Sequence, residues 1–262
     1  MELAERAFKD LSELTLMDDY MFGAVMQDER LAKTLIEAIL DVKLRRIEYV
    51  EPQKTMKVQL EAHSVRLDLY VEDEDGNIYN VEVQTTNKRN LPKRMRYYQS
   101  IIDLHILTPG ADYRDLKKSY VIFICAYDPF GKGRCLYRFE NRCLEEPALS
   151  FGDETVKIVL NTKGTDNGIS DELRETIRYL EDGTISGEWS EELDAAVGGV
   201  KSSEERRREY MVMMLREMEI REESRAEGRA EGRAEARQEA AEKVAKEFGI
   251  PIEKAKEILN RN

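Results

Sequence analysis

The sequence predicts an α/β fold: a mixed β-sheet flanked by helices in the order αβββαβ, followed by a long C-terminal helical tail. Three observations predict it. Residues 65–71 and 78–85 alternate apolar and polar side chains, the period of strands with two unlike faces. Tyr120–Tyr127 is an unbroken apolar, β-branched and aromatic run, as a strand buried on both faces requires. From about Ser203 to Phe248 the chain reads as one charged helix. The length of 262 residues suits one large domain, 1–200, with an appendage, 201–262.

Taken in order, Asp28 to Leu40 forms an amphipathic helix with Leu31, Leu35, Ile36 and Ile39 on its buried face. Strands are predicted at Arg45–Glu51, Val65–Glu72 and Ile78–Thr85. A helix from Leu91 to Leu107 carries Pro92 in its first turn, where the missing N–H costs nothing. The buried strand at 120–127 follows, then strands at Cys135–Glu140 and Val156–Asn161 and helices at Asp171–Glu181 and Glu188–Val197. Beyond Phe248, Gly249-Ile-Pro251 ends the long helix and a short one runs from Ile252 to Leu259.

Composition narrows the chemistry. A hydrophobic content of 41% is enough for a full core and excludes general disorder. The net charge of −12 belongs wholly to residues 1–200, because the tail holds 15 basic and 15 acidic side chains. Such a chain does not read as a protein that coats DNA regardless of sequence. Two histidines, His63 and His105, exclude three-histidine zinc sites, and Cys125, Cys135 and Cys143 form no Cys-x-x-Cys pair. Three cysteines without a framework suit a reducing compartment. The charged start and the absence of a long apolar run predict a cytoplasmic protein with no membrane segment.

The alternation in residues 65–71 sets Arg66, Asp68 and Tyr70 on one face, and in the next strand Asn80, Glu82 and Gln84 share a face. A three-residue loop, Glu74-Asp75-Gly76, fits a hairpin with Gly76 in the left-handed bulge position. That register places Asp68 opposite Glu82 and Arg66 opposite Gln84. Two carboxylates so placed repel each other. A divalent cation between them removes the repulsion, with the carbonyl of Val83 as a further oxygen, and hard oxygen donors suit Mg2+ or Mn2+. A solvated outer sheet face accounts for the same charges and, on spacing alone, is the favoured reading.

These motifs carry a resemblance. Asp68, then Glu82-Val83-Gln84 on the next strand, then a helix bearing Lys93, Arg94, Arg96, Tyr97, Tyr98 and Gln99, resembles the PD-(D/E)XK nuclease superfamily, whose restriction-endonuclease-like core has the same αβββαβ order. Ser64-Val-Arg-Leu-Asp68, Tyr79-Asn-Val-Glu-Val-Gln84, Tyr97-Tyr98-Gln99-Ser100 and the opening Asp18-Asp-Tyr-Met-Phe22 are similar to the Rpn-type, recombination-promoting nuclease and transposase family. The resemblance covers roughly residues 14–130. It implies that Asp68 and Glu82 hold a metal that activates water and stabilises charge on a scissile phosphate. Gln84 stands where the superfamily usually has Lys. An amide can orient water but cannot neutralise a phosphate. Arg66, Lys88 and Arg94 are the candidates for the missing charge, with Arg66 nearest by register and equally readable as a cross-strand ion-pair partner. Asp19 is a candidate third acidic ligand.

Between Asn87 and Lys118, eight basic residues stand against three acidic ones, so this segment is basic within an acidic chain. A phosphodiester backbone would lie there, against Lys88, Arg94 and Arg96, unless the segment is an ordinary solvated surface. His105, seven residues after Tyr98, is expected to pack on the same helix face, and Cys125 to be a buried small apolar group.

In the tail, Ser224–Glu239 repeats Arg and Glu every four residues, so like charges recur at i, i+4 while opposite charges fall on opposite sides. Gly228 and Gly232 weaken the helix further. Either it frays in solvent, or a second copy matches Arg stripes to Glu stripes as a homo-oligomer. Taken together, the resemblance implies a Mg2+-dependent DNA endonuclease. Two rivals remain, an inactive protein that keeps the fold and works through its tail, and an RNA-cleaving enzyme with the same site.

Overall fold

The computed structural model describes residues 9–56, 65–165 and 168–259, with the side chains of 48–66 and 257 outside that description. Those residues fall into two compact units, Lys9–Ser203 and the helices from Glu204 onward.

In the first unit, a short helix α1 (Asp19–Val25) precedes α2 (Glu29–Leu40). The Asp28 carboxylate caps α2 by accepting the Arg30 and Leu31 N–H groups at 2.9 and 3.2 Å. Asp41, left-handed at φ 56°, ends it. Leu31, Leu35, Ile36 and Ile39 form its buried face, as the spacing predicts. The short α1 has no such spacing, because Tyr20, Met21, Phe22, Gly23, Ala24 and Val25 are all buried.

The strands β1 (Ile47–Met56), β2 (Val65–Asp73) and β3 (Ile78–Gln84) form an antiparallel meander. Pro52 is accommodated in β1 because β1 is an edge strand. Helix α3 (Leu91–Ile106) then crosses over to β4 (Ser119–Cys125), which is parallel to β3. The hairpin strand β5 (Leu136–Phe139) pairs antiparallel with β6 (Thr155–Asn161), and β6 lies parallel to β4. The sheet therefore has six strands in the order β1-β2-β3-β4-β6-β5. Two helices, α4 (Asp171–Asp182) and α5 (Glu188–Ser202), complete the unit.

The sheet is covered on both faces. Helix α3 lays Leu91, Met95, Tyr98, Ile101 and Ile102 on Tyr70, Ile78, Val121, Phe123, Cys125 and Val159. On the other side of the strands, Ile122, Ile124, Ile158 and Leu160 are fully buried; α1 and α2 pack on β1 and β2, and α4 and α5 pack against those two helices. Phe123 and Cys125 are inaccessible on one face of β4, and Ile122 and Ile124 on the other, which explains the unbroken apolar run. His105 departs from the expectation. It is exposed, because the fully buried face of α3 ends at Ile102 and in the last turn only the partly buried Ile106 packs against the core.

The second unit is α6 (Glu204–Phe248), 45 residues long, and α7 (Ile252–Leu259). Gly249 at φ 63° and the Ile250 N–H bond to the Ala245 carbonyl at 3.1 Å close α6. Ala241 on α6 and Ala255 on α7 are both fully buried where the two helices pack. Among the described residues no ion pair forms within Ser224–Glu239. Instead, the Arg229 and Arg233 Nε groups donate to the carbonyls of Arg225 and Arg229, at 3.1 and 3.0 Å. No helix among the described residues is long and apolar enough to cross a membrane.

Candidate metal and phosphodiester site

The β2–β3 hairpin aims the two carboxylates. Gly76 takes φ 77°, donates to the Asp73 carbonyl at 2.9 Å, and leaves the three-residue loop that the sequence predicts. The pairs Leu69–Val81, Tyr70–Asn80, Val71–Tyr79 and Glu72–Ile78 follow in the expected register. Pairing stops at Leu69–Val81, one step before Asp68 and Glu82. There the side chains take over from the backbone. The Val83 N–H donates to Asp68 Oδ2 at 3.0 Å, and the Asp68 N–H donates to Glu82 Oε1 at 3.1 Å. The Ala126 N–H bonds the Gln84 carbonyl at 3.0 Å, so Gln84 faces β4 and Val83, one residue back, faces β2. Its carbonyl points into the gap between the separating strands.

This face is not solvated. Glu82 and Asn80 are fully buried and Gln84 nearly so, because α3 covers them. Arg94, one turn into α3, folds down onto the pair. Its Nη2 donates to Glu82 Oε2 at 3.2 Å and its Nη1 to Gln84 Oε1 at 3.0 Å. The Tyr98 hydroxyl, one turn further, accepts from Arg94 Nε and Nη2 at 2.9 and 2.6 Å. The guanidinium lies 5.0 Å from the Tyr98 ring centre and 5.1 Å from that of Phe123. Gln84 Nε2 donates to the Thr86 carbonyl at 2.9 Å, so both ends of the amide are engaged. Asn80, with its amide nitrogen toward the acceptors, donates to Glu82 Oε1 and the Leu69 carbonyl at 3.2 Å each.

Burial, and then the charge of Asp68, pushes the Glu82 carboxyl well above the ordinary carboxylate range. The Asp68 N–H, Arg94 and Asn80 oppose that shift without cancelling it. Burial alone would lower Arg94, but Tyr98, Glu82 and Asp68 hold its guanidinium more firmly charged than usual. Burial also pushes the Cys125 thiol up to about 12, which makes it an inert core group.

The other candidates are placed as follows. Lys88 is exposed in the loop after β3, and Arg96 is exposed on α3. The side chain of Arg66 and the whole of His63 lie outside the described residues. Asp19 is exposed at the start of α1, while Asp18 is engaged by Lys9 at 2.7 Å and by the Thr15 N–H at 2.8 Å. Among the described residues no third acidic side chain joins Asp68 and Glu82. The donor set fits a hard cation that keeps several waters and takes one or two carboxylates, the habit of Mg2+. It offers two carboxylates and a like-charge repulsion that a cation would relieve. The sequence missed Tyr98 as a partner of Arg94. Their i, i+4 spacing was the signal that could have revealed it.

A mixed sheet in this order, with an acidic pair at the parting of β2 and β3 and a helix over it, defines the restriction-endonuclease-like α/β class. Residues 17–145 match the family described as PD-(D/E)XK nuclease family transposase. No curated protein and no solved structure matches the chain.

Proposed function

We propose that the protein is a metal-dependent DNA endonuclease of the Rpn type, acting in the cytoplasm, where its three free thiols would stay reduced. The observation that carries this reading is the break in the β2–β3 ladder, where Asp68 and Glu82 face each other beneath Arg94. Asp68, Glu82 and the Val83 carbonyl would hold Mg2+ or Mn2+. The bound cation would lower the pKa of a water and offset charge on the phosphate. Hydrolysis adds the water oxygen to phosphorus and breaks one ester P–O bond; the water loses a proton and the departing oxygen gains one. The residues of this chain orient the phosphodiester. Lys88 and Arg96, with Arg89 and Lys93 beside them, are exposed around the first turn of α3, where a nucleic-acid backbone reaching Glu82 must pass.

The test is cleavage of supercoiled plasmid by the purified chain with Mg2+, Mn2+ or EDTA, alongside Asp68→Ala. Metal-dependent nicking is expected from the wild type, reduced at least about 10³-fold in the variant. Equal nicking by both would show that the site lies elsewhere. Cleavage of single-stranded or structured RNA but not of plasmid would turn the reading to a ribonuclease.

The tail supports a second element of this reading, self-association. Met211, Leu215 and Met218 form an exposed apolar stripe on α6, and among the described residues no ion pair forms within Ser224–Glu239, where Arg229 and Arg233 bond only backbone carbonyls. A second copy would satisfy both, and a Cβ at Gly228 or Gly232 would meet nothing in the single chain. Sedimentation equilibrium at low salt is expected to give twice the monomer mass, and Leu215→Glu with Met218→Glu to give the monomer. A wild type that stays monomeric at high micromolar concentration would exclude the pairing.

A further inference from the structure

We infer that Arg94 carries the catalytic positive charge that position 84 lacks, and that Gln84 and Tyr98 are positioning residues that hold its guanidinium in place. The inference rests on the nuclease reading above.

Gln84 lies on the same strand face as Glu82, so a cation there would reach the reacting phosphate from β3. A lysine at 84 would press an ammonium against the guanidinium that is already there. An amide does the opposite, since its carbonyl oxygen accepts from Arg94 Nη1 at 3.0 Å. Glutamine at this position and arginine one turn into α3 thus form one unit, with the charge moved from strand to helix. The placement is over-determined. Tyr98 accepts from two nitrogens of the guanidinium, and the Tyr98 and Phe123 ring centres lie 5.0 and 5.1 Å from it. Only the planar fork of arginine meets Glu82, Gln84 and Tyr98 at once, and it stays charged at any working pH.

Arg94 is also accessible. About a third of its side chain, 31%, remains exposed while Glu82 beneath it is closed off. A phosphate arriving at the carboxylate pair from solvent therefore meets Arg94. Glu82 Oε2 is the atom that both Arg94 and a cation would claim, so cation binding competes with this one bond. The bonds to Gln84 and Tyr98 are independent of that competition and keep the guanidinium at the site. Its role is to neutralise the charge that develops on the phosphate oxygens as water adds and the ester bond breaks.

The experiment compares full-length wild type with Arg94→Gln, Tyr98→Phe and Arg66→Gln. It follows plasmid cleavage in Mn2+, Mn2+ binding by calorimetry, and thermal unfolding. Arg94→Gln is expected to cut kcat by about 10²–10³-fold. Its Mn2+ affinity should be equal or tighter, because Glu82 loses a competitor. A guanidinium that served only as a counter-ion for the fold would instead lose metal binding and melting temperature together. Tyr98→Phe keeps the ring and removes only the acceptor. It should lower kcat by about 10-fold with Mn2+ affinity and melting unchanged, and it decides the matter if Arg94→Gln does not fold. Rate retained within about threefold by Arg94→Gln, or by Tyr98→Phe where Arg94→Gln is unfolded, overturns the assignment. So does cleavage lost in Arg66→Gln and kept in Arg94→Gln, which would place the charge on β2. A wild type without metal-dependent cleavage fails one step earlier, at the nuclease reading, and removes this assignment with it.

Discussion

Asp68→Asn is expected to make the cation-free protein more stable, by about 1 kcal/mol, the scale of an unfavourable cross-strand pair. The asparagine Oδ1 can still accept the Val83 N–H that Asp68 Oδ2 accepts at 3.0 Å, so the parting of β2 and β3 keeps its closure. The Glu82–Arg94 pair, on the other oxygen of Glu82, is undisturbed. What disappears is the second negative charge beside a fully buried carboxylate whose ionised form is already disfavoured. In the wild type, saturating Mn2+ at about 100 times its Kd should add about 2.7 kcal/mol, and Asp68→Asn should show almost none of that gain. Thermal unfolding with and without Mn2+ on both proteins checks this. A variant less stable than wild type without metal would mean that Asp68 serves the fold. Equal Mn2+ stabilisation of both would mean that Asp68 does not hold the cation.

The candidate site was partly legible in the sequence, and the line between what was and was not follows the range of the interactions. Gly76 and the alternation on either side of it set the register of β2 against β3 locally, so the Asp68–Glu82 juxtaposition could be read two strands at a time. Whether that face was wet or dry could not be read so. Polar residues at alternate positions mark a solvated face and a covered polar site alike, and only the docking of α3 decides between them. The partner of Glu82 was hidden for the same reason. Arg94 lies 12 residues away, and its arrival depends on how α3 rotates as Met95, Tyr98 and Ile102 seek the core. Register alone favoured Arg66, because register sees neighbours in the sheet and not a helix laid across it. Helix α1 escaped because it is buried all round and so carries no periodic signal. His105 has the right spacing from Tyr98, but in the last turn of α3 only Ile106 reaches the core.

Phe123→Ala should be the most damaging single truncation near the site, costing about 3–5 kcal/mol of an expected total of about 5–15. Phe123 is fully buried at the centre of β4, beside Glu82 in the parallel pairing and Val159 on the other side. Its ring stands 5.7 Å from that of Tyr98, so truncation opens a void that neither β-strand neighbour can fill without leaving its ladder. Urea denaturation of the full chain, read by circular dichroism, measures the loss. Phe123→Leu, which keeps most of the volume, should cost under half as much. The two variants separate packing from a second role. Phe123 is also one of the two rings against the Arg94 guanidinium, and leucine restores volume without an aromatic face. If Arg94 acts on the phosphate, Phe123→Leu should cleave more slowly than its stability explains, at a temperature where both it and wild type are fully folded. Loss of stability with an unchanged cleavage rate would make Phe123 a core residue alone and leave Tyr98 as the one ring that matters to Arg94.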